Sequence, residues 1–164
     1  MAKSQVVRVV PGGSEYIETI GEKFAELALT RTGEVALFNS LWRSEALPYH
    51  FVAVTTDNLC FFIEIRSYSA CRSKIELEPG AILELAVRAE HIRAARRSPT
   101  PIVMLLSDAD QERVHFLRLD TLPEPQKDAK SVVLSFPVEN TITGDSIRAL
   151  AEAIAKERAV PVAS

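Results

Sequence analysis

Glu64 and Arg66 are separated by one residue in the segment FFIEIRSYS, residues 61–69. A β-strand sends alternate side chains to opposite faces, so both would share a face with Phe62, leaving Phe61, Ile63 and Ile65 on the other. A carboxylate is a hard oxygen donor suited to Mg²⁺ or Mn²⁺, and a guanidinium can hold a phosphate or a transition-state charge. Side by side, a metal-ligand type and an anion-binding type would share one strand face. Arginine stays protonated, however, so Arg66 cannot serve as a general base. The competing reading is plain: Glu and Arg at this spacing also make a structural ion pair or a solvated polar face.

Further residues bear on that chemistry. His50 opens the strand expected to face Glu64, and it would lie opposite Glu64 only if the hairpin closes through a three-residue loop at Thr56 to Asn58. Imidazole suits Zn²⁺, Ni²⁺ or Mn²⁺ better than Mg²⁺, and a hairpin histidine satisfied by its neighbours is the competing reading. Asp57 falls in the turn itself, where turn chemistry accounts for it. Glu22 and Glu26, one helical turn apart, read as a solvated face. His91 and His115 read as structural, with no Cys or acidic partner at metal spacing. Arg88, Arg93, Arg96 and Arg97, with Arg72 and Lys74 nearby, form a local basic cluster of the kind that a nucleic-acid backbone requires. Arginines at a helix C-terminus also suit the helix dipole, so this cluster too has a structural reading.

The elements that must position these residues follow from periodicity. A short strand at Val6 to Val10 precedes a Pro-Gly-Gly turn, and Ser14 can cap a helix whose stripe is Ile17, Ile20, Phe24, Leu27 and Ala28, ending near Gly33. EVALFNSLWR fits strand or helix. YHFVAV and LCFFIEIRSYS, joined by the polar TTDN, predict a hairpin. The stretch from Gly80 to Arg97 predicts one long helix, with Ile82, Leu85, Ala86, Ala89 and Ile92 or Arg93 as its stripe and Pro99 and Pro101 beyond its end. PIVMLLSD predicts a strand buried on both faces, RVHFLRLD and SVVLSFPV predict two more, and a last helix starts near Thr143 with Ile147, Leu150, Ala151 and Ile154 inward. The sum is an α/β architecture in which helices flank one mixed β-sheet, in a single domain over residues 1–164.

Composition bounds the class of function. The chain has 164 residues, 47% of them hydrophobic, enough for a sizeable core. Nineteen basic against 22 acidic residues give a net charge of −3, so attraction to nucleic acid must be local, not global. No apolar run approaches the ~20 residues of a membrane span, and the start lacks the features of a signal peptide. Cys60 and Cys71 fit neither a disulfide scaffold nor a zinc site, so reduced thiols in a cytoplasmic protein are expected.

The layout resembles the PD-(D/E)XK nuclease-like core, the restriction-endonuclease-like fold, and more narrowly a bacterial domain family of unknown function built on it. The matching pieces are Ile20-Gly21-Glu22, the hairpin, Glu64-Ile65-Arg66, TPIVMLLSD, RVHFLRLD and SVVLSFPVENTI, spanning about residues 14–157. In active members, the resemblance implies, an aspartate of the first hairpin strand and the glutamate of an E-x-K motif hold a divalent metal beside the lysine. Here Glu64 occupies the metal-holding position, His50 stands nearest the aspartate's place, and Arg66 replaces the lysine.

Two functions of different class follow. One is a non-catalytic module with a degenerate site, binding nucleic acid through the arginine cluster, or a protein partner, or a second copy of itself. The other is a divergent metal-dependent DNA or RNA nuclease, using Mg²⁺ or Mn²⁺ and acting through Glu64 with Arg66 and His50. A single carboxylate favours the first.

Overall fold

The computed structural model describes residues 4–12, 14–39, 49–73 and 75–159. Strand β1 (Val6–Val9) leads to helix α1 (Glu15–Arg31), whose start is fixed by Ser14: its hydroxyl accepts from the Ile17 amide at 3.3 Å. Strands β2 (Val35–Asn39), β3 (Phe51–Thr55) and β4 (Cys60–Tyr68) follow, then the single turn α2 (Ala70–Ser73). Next come β5 (Ile82–Arg88), α3 (Ala89–Arg97), β6 (Ile102–Asp108), β7 (Val114–Arg118), β8 (Ser131–Pro137) and α4 (Gly144–Ala159). No helix among the described residues is long and apolar enough to cross a membrane.

The strands form two sheets where one was expected. The larger has the order β2-β3-β4-β6-β7, antiparallel except that β4 and β6 run parallel; the smaller has β5 between a parallel β1 and an antiparallel β8. The expected long helix from Gly80 to Arg97 is the chief correction. Ile82–Arg88 is the central strand of the small sheet, and only Ala89–Arg97 is helical. ILELAVR fits a period of two as well as a helical stripe. Pairing on both sides decides between them, and it puts Leu83 and Leu85 fully inside. The ambiguous EVALFNSLWR is a strand through Asn39, its remainder lying outside the described residues.

The larger sheet separates two cores. One face carries Ala53, Phe61, Ile63, Ile65, Val103 and Leu105, packed against Ala25 and Leu29 of α1 and Ile147, Leu150 and Ile154 of α4. The other carries Phe62, Tyr68, Ile102, Met104 and Leu106, covered by the small sheet and by Ile92 and Ala95 of α3. All seven residues of β6 are buried, as its unbroken apolar run predicts. Glu64 and Arg66 share the parity of Phe62 and Tyr68, so β4 aims them at the α3 side.

Candidate functional site

Glu64 lies inside the protein with no exposed surface, paired across the sheet with Met104. A buried carboxylate needs compensation, and a guanidinium and an imidazole supply it. Arg66 Nη2 stands 2.7 Å from Glu64 Oε1, and His91 Nε2 meets Oε2 in a very short contact. The arginine contact is a close ion pair without the alignment of a hydrogen bond. An ionised carboxylate only accepts, so His91 Nε2 carries the hydrogen in that contact. Arg66 is 37% exposed and His91 only 6%, so the cluster seals the carboxylate on its inner side and opens at the guanidinium. His91, expected to be merely structural, is the partner that sequence spacing could not reveal. It lies 27 residues away, and the helix boundary that aims it falls inside the misjudged segment.

The hairpin closes through Thr56 to Asn58, with Asn58 in the left-handed region at φ 59°, and it pairs Phe51 with Ile63 and Val54 with Cys60. His50, next in line for Glu64, leaves that ladder. Its amide donates to the Ile63 carbonyl at 2.8 Å, while its Nδ1 accepts from the Ile65 amide at 3.0 Å. Nδ1 therefore lacks a hydrogen, and Nε2 donates toward Glu22 Oε1 on α1, 3.1 Å away. Tyr49 stacks on Phe62, on the Glu64 side, and His50 turns the other way toward α1. Glu22 thus reaches the sheet instead of lying on a solvated face, whereas Glu26 pairs with the exposed Lys23 at 2.8 Å. Asp57 is in the turn, at the rim of a different cavity against α4.

The arginine cluster divides. Arg93 Nη2 donates to the carbonyls of Gln126, Lys127 and Ala129, and Arg96 pairs with Glu124 and donates to the Leu122 carbonyl, so both tie down the chain between β7 and β8. Arg97 is exposed at the end of α3. Arg88 belongs to the other end, closing β5 and preceding the first turn of α3, where it joins Arg66 and His91 around one cavity. Lys74 and the side chain of Arg72 lie outside the described residues.

A second polar group, which sequence reasoning did not single out as a site, closes the carboxyl ends of the parallel pair β4 and β6. Asp108, fully buried, accepts at Oδ1 from the Asp110 amide at 2.9 Å, and burial pushes its carboxyl above the usual range. Asp110 accepts from the Ser69 hydroxyl at 2.6 Å and the Cys71 amide at 2.9 Å, which hold its carboxyl below that range. These bonds end β4 and start α2. His115 on β7 is fully buried, and burial lowers its pKa to about 4.

The metal that the resemblance implies does not fit these residues. Both oxygens of Glu64 are occupied, one by Arg66 and one by His91, and among the described residues no three His, Cys, Asp or Glu side chains group as metal ligands. A divalent ion beside Glu64 would meet the positive charge of Arg66 at close range. No protein-family model matches the chain, and no curated protein matches it.

Proposed function

We propose that this chain is a PD-(D/E)XK nuclease-like protein whose catalytic position has become structural, and that it binds a nucleic acid or protein partner instead of cutting. One observation carries the reading: Glu64 has no exposed surface and is held between Arg66 and His91. The order of elements supports the nuclease-like assignment. A helix α1, a hairpin β3-β4 whose second strand carries Glu64 and Arg66, a helix α3 and the apolar strand β6 follow the order that the resemblance implied, with β5 standing where the longer helix was expected. Fold alone does not carry activity, and the sealed carboxylate argues against it. The competing enzyme would require Glu64 to be freed from both Arg66 and His91 before it could hold Mg²⁺ or Mn²⁺. Cys60 and Cys71 are free thiols, which suits the reducing cytoplasm.

The test is cleavage of DNA and RNA with Mg²⁺ or Mn²⁺, comparing the unmodified protein with Glu64→Gln, which keeps the side chain's shape. The expected result is no metal-dependent cleavage above that control. Robust cutting by the unmodified protein that disappears in Glu64→Gln would overturn the reading and put the nuclease in its place.

A further inference from the structure

The small sheet turns one face to the core, through Val9, Leu83, Leu85, Leu134 and Phe136, and its other face is open among the described residues. Strand alternation and register set the side chains of that open face in rows. Val6, Ile82 and Pro137 form the first row, and Arg8, Glu84 and Ser135 the second. Ala86 and Val133 form the third, with Val10 continuing the alternation just past the end of β1. Two apolar rows thus flank a polar one, in which Arg8 Nε stands 3.5 Å from Glu84 Oε2 on the neighbouring strand. Of the six large hydrophobic side chains exposed among the described residues, three lie here: Val6 at 54%, Val10 at 79% and Val133 at 52%. A parallel pair such as β1 and β5 is ordinarily covered on both faces, and contiguous exposed apolar surface marks a contact site.

We infer that this face packs against the same face of a second copy of the chain. The charge pattern selects that occupant, because it is self-complementary. A two-fold axis parallel to the strands and passing between β1 and β5 sets Arg8 over the partner's Glu84, and Glu84 over the partner's Arg8. The same axis leaves positions along the strands unchanged, so apolar rows meet apolar rows: Val6 faces the partner's Ile82, and Val10 the partner's Ala86. The strands of the two sheets then run close to one direction, as in aligned sheet packing. An axis along β5 itself would stack Glu84 on Glu84, and like charge opposes it. Arg88, the last residue of β5, lies past the end of β1 and outside the overlap. With strands about 4.8 Å apart and a rise of about 3.3 Å per residue, three strands of four to seven residues offer a few hundred Å² per copy. That is below the ~800 Å² per partner of a standard interface, so the dimer is weak and depends on concentration. Glu64 takes no part in this face, so cleavage of a nucleic acid by this chain would leave the contact standing.

The experiment is sedimentation equilibrium of the full chain up to millimolar concentration, with circular dichroism to verify that each variant is folded. The unmodified protein is expected to form a concentration-dependent dimer. Arg8→Glu makes the polar row negative and Glu84→Arg makes it positive, so each alone should weaken self-association roughly tenfold or more. Mixed in equal amounts, the two variants should form a one-to-one complex at least as tight as the unmodified dimer. That recovery needs both chains folded and face to face, so it separates loss of the contact from loss of the fold. Val6→Lys, which puts a charge into an apolar row, should weaken the dimer as well. Phe38→Ser, on the exposed side of β2, should leave it unchanged. A chain that stays monomeric throughout, a mixture that associates no better than its components, or a dimer lost in Phe38→Ser but kept in both charge reversals overturns it.

Discussion

At the scale of single residues, the candidate site is organised around the buried carboxylate of Glu64. Glu64 contributes stability only while both its partners are present, because an unbalanced carboxylate in an apolar interior is costly. His91→Leu is therefore expected to destabilise the fold by about 3 kcal/mol, the range for breaking a buried pair from one side. Replacing both residues, as Glu64→Leu with His91→Leu, should recover most of that loss, since the buried charge and its buried partner leave together and Arg66, 37% exposed, can turn to solvent. Urea unfolding of the four corners of this cycle measures the coupling; additive losses would show that the contact carries no energy of its own. The pairing of Glu64 with Arg66 could be read from the alternation of a strand. His91 could not: a buried carboxylate demands a partner, but periodicity does not say which distant side chain arrives.

At the scale of elements, the reading of α1 shows how a stripe can be found and its phase missed. The predicted inward set included Ile20, Phe24 and Leu27, yet the buried residues are Ile17, Gly21, Ala25 and Leu29, and Leu27 is 43% exposed. Small residues at the centre of the true stripe let the helix approach β4 closely. A Cβ at Gly21 would stand 2.0 Å from Ser67 Oγ and 2.4 Å from Ser67 Cβ. Hydrophobicity alone ranks Gly21 last, so the contact was invisible to it. Gly21→Ala is expected to lower stability by about 1–3 kcal/mol despite its better helix propensity, because the helix and strand must separate. Adding Ser67→Gly should restore part of the loss. A stabilised Gly21→Ala would show that propensity outweighs packing here. The misread β5 has the same origin: ILELAVR is locally indifferent, and only its two neighbours in the small sheet make it a strand.

At the scale of the molecule, the larger sheet is buried on both faces along β4 and β6, and this burial, reaching His115 on the neighbouring β7, sets how the fold responds to acid. His115 lies inside with neither ring nitrogen in an aligned hydrogen bond among the described residues. Burial is the main cause of its lowered pKa, Arg113 adds to it, and the nearby Val138 backbone and Glu139 act against it. With a folded value of about 4 against an ordinary 6.5, the folded state refuses a proton that the unfolded chain accepts. The sign follows: the full stability is present above pH 6.5 and is lost as pH falls toward 4, by up to about 3 kcal/mol for a shift of this size. Asp108 works the other way. Its raised value means that burying its charge opposes folding at higher pH, and protonation in acid relieves that opposition. His115→Leu fills a similar space without a titrating group, and it should leave stability at neutral pH unchanged or higher while flattening the decline between about pH 6.5 and pH 4.5. Chemical denaturation across that range compares the slopes, and identical slopes in the two proteins would mean that the acid sensitivity arises elsewhere in the molecule.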